Sequence, residues 1–395
     1  MAHVEEIRGL QSPPNLRALT VARRDLRDVY TALITERDLF EMEETTKLYR
    51  LLGYLSADQN LWDITISMLD SVLGFYSIEH KTLWVVTQRE EVGLEDLSRK
   101  QQETLVHEII HAIQDYHFDL GSTISAITFD LDATLAFTSV VEGDAVVHSN
   151  HSSQIHHLAA PVASTFLFLG TNSSHISDLP SPIIRELYFP YTTGAEWAHV
   201  VIQSRGVDAL NAFLTDPPSA TSMILHPELM DTDWIPESNS LGSFPEHDIQ
   251  ASLGPEWQMG LLGSLGEFQL QNYLLATDTP YYLNTEEFPR VERAIRAAEG
   301  WVGDRYALFE KGNEEQVLIV RVRFEDEKEA AEFTKEHYAA TARHAEILAE
   351  ENCILGTWEN GRVVGLLEPL GREVLFAIGT SPKVVRAALE VLVKG

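Results

Sequence analysis

Cysteine is almost missing from this chain: Cys353 is the one thiol among 395 residues. A single thiol excludes an intrachain disulfide framework and any cysteine-based zinc ribbon. A metal site would therefore have to use His, Asp and Glu, and 15 His are present. Basic residues are scarce as well. There are 29 Lys+Arg against 60 Asp+Glu, a formal net charge of −31. Phosphate binding is built on Lys and Arg, so the charge disfavours nucleic acid and anionic membranes as general partners. No run reaches the roughly 18 apolar residues of a membrane span. The longest, PVASTFLFLG at 161–170, reads as buried core. The opening MAHVEEIRGLQSPPNL lacks a basic patch leading into an apolar stretch, so it does not read as a signal peptide. A chain whose leader had been removed would read the same, and would point outside the cytoplasm.

What is present is enough apolar material to fold. Hydrophobic residues make up 44%, which can offset the entropy of ordering and rules out a disordered acidic chain. At about 150 residues per domain, two or three domains are expected. No repeat or low-complexity tract interrupts the chain. The N-terminal part, about 1–72, reads as helical, with apolar residues at helical spacing in LRDVYTALI and LWDITISMLDSVL. TLWVVT at 82–87 reads as a strand, 98–117 as a helix, and 130–157 as a second long helix. Shorter helices are expected at SPIIRELYF, GAEWAHVVIQS and VDALNAFL, and 255–300 reads as helical. Beyond Gly300 the texture changes to strands at DRYALFE and EQVLIVRVRFE, a charged helix over 326–351, three more strands and a helix from Pro382. The expected fold class is α+β: a mainly helical body over 1–300 with a small sheet, then a small α+β accessory domain over 301–395.

The chemistry concentrates in His107-Glu108-Ile109-Ile110-His111. Residues i and i+4 share a helix face about 5–6 Å apart at Cβ, so both imidazoles can reach one zinc ion. Glu108 cannot easily ligate the same ion but can serve as general base toward water. Composition alone would produce this pattern roughly once in twenty such chains. The match lies inside an apolar helix (Leu105, Val106, Ile109, Ile110, Ile113), where such polar groups are costly without a partner. An open zinc site takes a third protein ligand, and no H-x-x-G-x-x-H continuation follows. Glu142 in VVEGDA is the expected third ligand, with Asp144, His148 and His151 as alternatives. A mid-helix glycine at 143 weakens a helix, so close approach of another segment is expected there. The plain alternative for Glu142 is a solvated residue on an amphipathic face.

These residues resemble the gluzincin metallopeptidases and, more narrowly, a group of largely uncharacterised bacterial zincin-like proteins. The resemblance is carried by Gly74-Phe75-Tyr76 with Leu83 to Val86, HEIIHAIQDYHFDL at 107–120, EGDA at 142–145, PYTTG at 190–194 and DPPSATSMILHP at 216–227. It covers about residues 70–230 and extends weakly through WVGDRY at 301–306. It implies a zincin-like fold with one Zn2+ on His107, His111 and Glu142, Glu108 as catalytic base, and a peptide or protein as substrate. Related enzymes place a tyrosine hydroxyl at the oxyanion, which implies Tyr191 here; His226 is the alternative, and helix capping or core packing the plain reading of Tyr191. The strand before the active helix is an edge strand in zincins and pairs with extended peptide; the plain alternative for TLWVVT is an interior strand. Two features depart from the thermolysin-like pattern. Val146 stands where an acid four residues after the glutamate ligand would orient a histidine, leaving Asp144, Asp115 and Asp132 as candidates. The step from His111 to Glu142 is also longer. The competing expectation is a zincin fold with a silent or structural metal, used as a binding or scaffold module.

Overall fold

The computed structural model describes residues 1–89, 92–127, 129–152, 179–242, 244–276, 288–312, 315–349 and 353–394. The apolar run 161–170, His156 and His157 lie outside them, as does the His151 side chain. The fold is mixed α and β. No helix among the described residues is long and apolar enough to cross a membrane.

Helices α1 (Ala2–Arg8), α2 (Leu26–Leu33), α3 (Glu36–Leu52) and α4 (Leu61–Met68) make up much of the N-terminal part. The expectation of a helical 1–72 needs one correction, because Arg17–Ala22 forms strand β1. It pairs in parallel with β3 (Thr82–Thr87), while β2 (Gly74–Ser77) pairs antiparallel with the other side of β3. The sheet order β1-β3-β2 corrects a second expectation: TLWVVT is the central strand, so its backbone is used on both sides. Its side chains alternate as a strand must. Leu83 and Val85 join the cluster of Ile109, Ile110 and Ile113, whereas Val86 packs with Val21, Leu26 and Leu69.

Helix α5 (Arg99–Phe118) therefore lies on this sheet by its apolar stripe. It starts at a reciprocal capping box between Ser98 and Gln101, which satisfies two orphan donors of the first turn. Following it are α6 (Leu120–Ile127), α7 (Leu131–Ser152), α8 (Ser181–Tyr188), α9 (Thr193–Arg205), α10 (Val207–Thr215), α11 (Ser222–Leu225) and α12 (Glu246–Leu253). Helix α7 packs against α5 and α9, burying Leu135, Phe137, Val140, Trp197 and Val201 together.

Residues 255–300 are not helical throughout. They hold strand β4 (Gln258–Gly263) before α13 (Gly266–Leu275) and α14 (Phe288–Ala298). The chain continues through β5 (Trp301–Lys311), β6 (Glu315–Phe324), α15 (Glu327–Ala342), β7 (Glu346–Ala349), β8 (Cys353–Thr357), β9 (Val363–Leu367), β10 (Glu373–Gly379) and α16 (Pro382–Lys394). The charged helix expected over 326–351 thus ends at Ala342, and Glu346–Ala349 turns back to pair with β8 as a hairpin. The seven strands run β4-β5-β6-β10-β9-β8-β7, each pair antiparallel.

This sheet is buried on both faces, and alternate residues of β6 show it. Leu318, Val320 and Val322 face one cluster; Val317 and Ile319 face the other. The first cluster also contains Leu48 and Leu52 of α3 and Leu270 and Leu274 of α13. β4 and these helices precede residue 300, so the sheet and its core cross the expected seam. Arg362 reinforces this crossing by donating to the Leu51 oxygen at 2.7 Å and the Leu52 oxygen at 3.1 Å.

Candidate metal centre

One helical turn separates His107 and His111 on α5, and the two imidazoles converge with Nε2 atoms 3.0 Å apart. Glu142 reaches across from α7, its Oε2 lying 3.2 Å from His107 Nε2 and 3.3 Å from His111 Nε2. Three ligand atoms from two helices thus surround one point and could hold a metal ion. Tetrahedral bonds of 2.0–2.1 Å space ligand atoms about 3.3 Å apart, so the donor set fits a cation of that kind. The chemistry of the donors fits too. Two ring nitrogens and a carboxylate oxygen are all electron-pair donors, and in a buried setting a shared cation satisfies them together.

Charge coupling within the group is strong. Burial works against charge on His111, but the Glu142 carboxylate outweighs it and pushes that imidazole up to about 9. Burial lowers His107. For Glu142, burial acts upward, yet His111 and the hydrogen bonds to both imidazoles hold the carboxyl well below the usual range. Glu108 is buried, and that burial pushes its carboxyl up to about 8, with His111 opposing and Glu142 adding to the rise.

The alignment of α7 with its neighbour depends on two glycines. A Cβ at Gly143 would lie 2.3 Å from the Gly194 backbone oxygen, and one at Gly194 would lie 2.6 Å from the Ser139 oxygen. The close approach expected at residue 143 is therefore to the start of α9. That crossing brings the PYTTG segment beside Glu142. The Tyr191 ring lies 6.5 Å from the His107 ring at an interplanar angle of 29°, and its hydroxyl interacts electrostatically with Glu142. Burial first, then the Glu142 charge, raises the phenol well above its ordinary range.

Other candidates are placed elsewhere. Asp144 is fully buried and faces Arg8, whose Nε and Nη2 lie 3.0 and 2.9 Å from Oδ2. His148 holds Nδ1 2.7 Å from Asp144 Oδ1. His226 pairs with Glu267 at 2.9 Å, and Ser222 donates to the same carboxylate at 2.8 Å. Asp115 accepts from Tyr76 at 2.7 Å and Lys81 at 2.6 Å, and Asp132 accepts from the Thr221 backbone and hydroxyl, each at 2.6 Å. The side chain at His111 Nδ1 is Gln114: its Oε1 lies 2.8 Å from that nitrogen, and its Nε2 donates to Asp144 Oδ2 at 2.7 Å. Sequence reasoning passed over Gln114 and Arg8. Gln114 had one available signal, its position three residues after His111 on the same helix face.

Comparison with known proteins reaches only the C-terminal sheet. A family described as "Domain of unknown function (DUF8575)" matches residues 262–387. That stretch runs from the end of β4 into α16 and contains none of the residues His107, Glu108, His111, Glu142 or Tyr191. No curated protein and no solved structure matches the chain.

Proposed function

We propose that this chain is a zinc-dependent peptide-bond hydrolase, with the metal held by His107, His111 and Glu142. The observation that carries the reading is the convergence of those three ligand atoms, with Glu108 buried on the same turn of α5. A purely structural metal has no use for that fourth group. Zinc, when bound, supplies a Lewis acid for the scissile carbonyl and makes water more acidic. Glu108, buried beside the three ligands, is the carboxylate placed to act as general base. Its carboxylate takes a proton from the attacking water and passes it to the leaving amine nitrogen. The Tyr191 hydroxyl, whose ring lies beside that of His107, is the donor assigned to stabilise the oxyanion that forms. The gluzincin-like motifs support the same assignment, with a peptide or protein as substrate.

The test combines elemental analysis with a broad peptide-library digest. Wild type is expected to hold about one equivalent of zinc. Glu108→Gln should keep it while hydrolysis falls by about 10²–10⁴-fold. Glu142→Gln should lose the metal. A protein without metal after zinc reconstitution would sink the reading. Identical digests from wild type and Glu108→Gln would favour a binding or scaffold role instead.

A further inference from the structure

We infer that Gln114 is a positioning residue that sets the tautomer of His111, and that Arg8 on α1 makes the N-terminal helix part of the apparatus holding the metal. The inference rests on the metal-site reading above. The Gln114 amide has one orientation open to it. Its nitrogen lies 2.8 Å from the Val141 backbone oxygen and 2.7 Å from Asp144 Oδ2, both acceptors. The NH2 end must face them, which turns Oε1 toward His111 Nδ1 at 2.8 Å. An amide oxygen only accepts, so the imidazole proton sits on Nδ1. In the neutral, metal-binding form of the ring Nε2 then carries the free electron pair, and it is the atom that faces His107 and Glu142. Gln114 and Asp144 are both 0% exposed, so water cannot substitute for either.

A fully buried Asp144 carboxylate needs compensation, and Arg8 supplies it from α1. The guanidinium meets Asp144 Oδ2 through Nε and Nη2, and Nη2 also donates to Asn211 Oδ1 at 2.6 Å. The path thus runs Arg8–Asp144–Gln114–His111, through α1, α7 and α5. Metal-bound histidines commonly give their second N–H directly to a carboxylate or a backbone carbonyl. Here a neutral amide stands between carboxylate and imidazole, so the ring is oriented without direct contact with the negative charge.

The experiment measures zinc affinity by competition with a chromophoric chelator, and the visible spectrum of the Co2+-substituted protein. Wild type is compared with Gln114→Leu, Arg8→Met and Arg8→Lys. Gln114→Leu should weaken zinc binding by roughly 10–100-fold and alter the Co2+ spectrum. Arg8→Met should weaken binding in the same direction. Arg8→Lys keeps a cation beside Asp144, so it should retain most of the affinity. If wild type binds zinc and folded Gln114→Leu matches it in affinity and spectrum, the inference is overturned. Should Gln114→Leu not fold, a folded Arg8→Met with wild-type affinity and spectrum overturns it equally. Wild type failing to bind metal is a different result and removes the metal-site reading itself.

Discussion

Tyr191 sits between two duties that a single substitution can separate. Its hydroxyl interacts electrostatically with Glu142, while its ring lies beside that of His107. If the phenol serves the developing oxyanion, Tyr191→Phe should lower kcat by about a hundredfold, with KM and zinc content unchanged. If it serves only to hold Glu142, zinc affinity should fall while kcat of the fully loaded protein stays near wild type. Steady-state kinetics at saturating zinc, together with a chelator titration, decide between them. Glu142 itself shows why the distinction matters. Its carboxylate meets two imidazoles and one phenol, and each contact restrains where the oxygen can point.

At the scale of elements, the α7–α9 crossing is the joint on which the site depends. Gly143→Ala would place a methyl group 2.3 Å from a backbone oxygen, which no side-chain rotation can relieve. The helices must separate, at a cost of about 1–3 kcal/mol, and Tyr191 should move away from Glu142. Chemical denaturation of wild type and variant gives the first quantity, and loss of the activity assigned to Tyr191 reports the second. The same elements show what a sequence can reveal. The imidazole spacing in HEIIH was legible because helix geometry alone puts both rings on one face. Glu142 and Gly143 were legible because a glycine inside an apolar helix calls for a close neighbour. Gln114 was not, since an amide on a helix reads the same whether it meets water or a buried carboxylate. Strand β1, RALTVA, is half-buried for most of its length, so its alternation is muted and the helical pattern after it dominates. QMGLLG is only six residues long and is followed by an apolar helix, so it merges into the helical reading of 255–300 until β5 is placed beside it. EILA follows a charged helix and lies on the outer edge of the sheet, largely exposed, so no apolar pattern separates it from that helix.

One of the hydrophobic clusters spans the chain's two textures. Leu48 and Leu52 near the N-terminus pack in one cluster with Leu318, Val364 and Phe376. Residues 1–300 alone would expose that face of α3 and α13, and should show no cooperative unfolding transition by circular dichroism; a sharp transition would refute this. The core also contains an acid-sensitive point. His337 on α15 is 0% exposed, with Nε2 2.8 Å from the Tyr273 hydroxyl. Burial, with Arg362 adding, pushes it down to about 3, against about 6.5 for an unfolded histidine. Between those values the unfolded chain binds a proton that the folded chain refuses. The stability present above pH 6.5 is therefore lost as pH falls toward 3, by about 1.4 kcal/mol per unit. His337→Gln keeps a partner for Tyr273 and should remove that slope. Unfolding free energies at pH 7, 6 and 5 test it, and equal slopes in variant and wild type would count against it.

Arg362 gives the N-terminal half an unusual dependence in time. Helix α3 ends at Gly53 in the left-handed conformation, and its last carbonyls are met by a guanidinium from the β8–β9 connection, more than 300 residues later. A Cβ at residue 53 would lie 2.8 Å from that guanidinium. During synthesis α3 can form early, but its end stays unfinished until the late strands have assembled beside it. Loop closure over such a span is slow relative to local helix formation. The end of α3 is therefore completed only when residue 362 is in place, and the helices carrying His107, His111 and Glu142 belong to a fold whose N-terminal half is fastened from its C-terminal sheet.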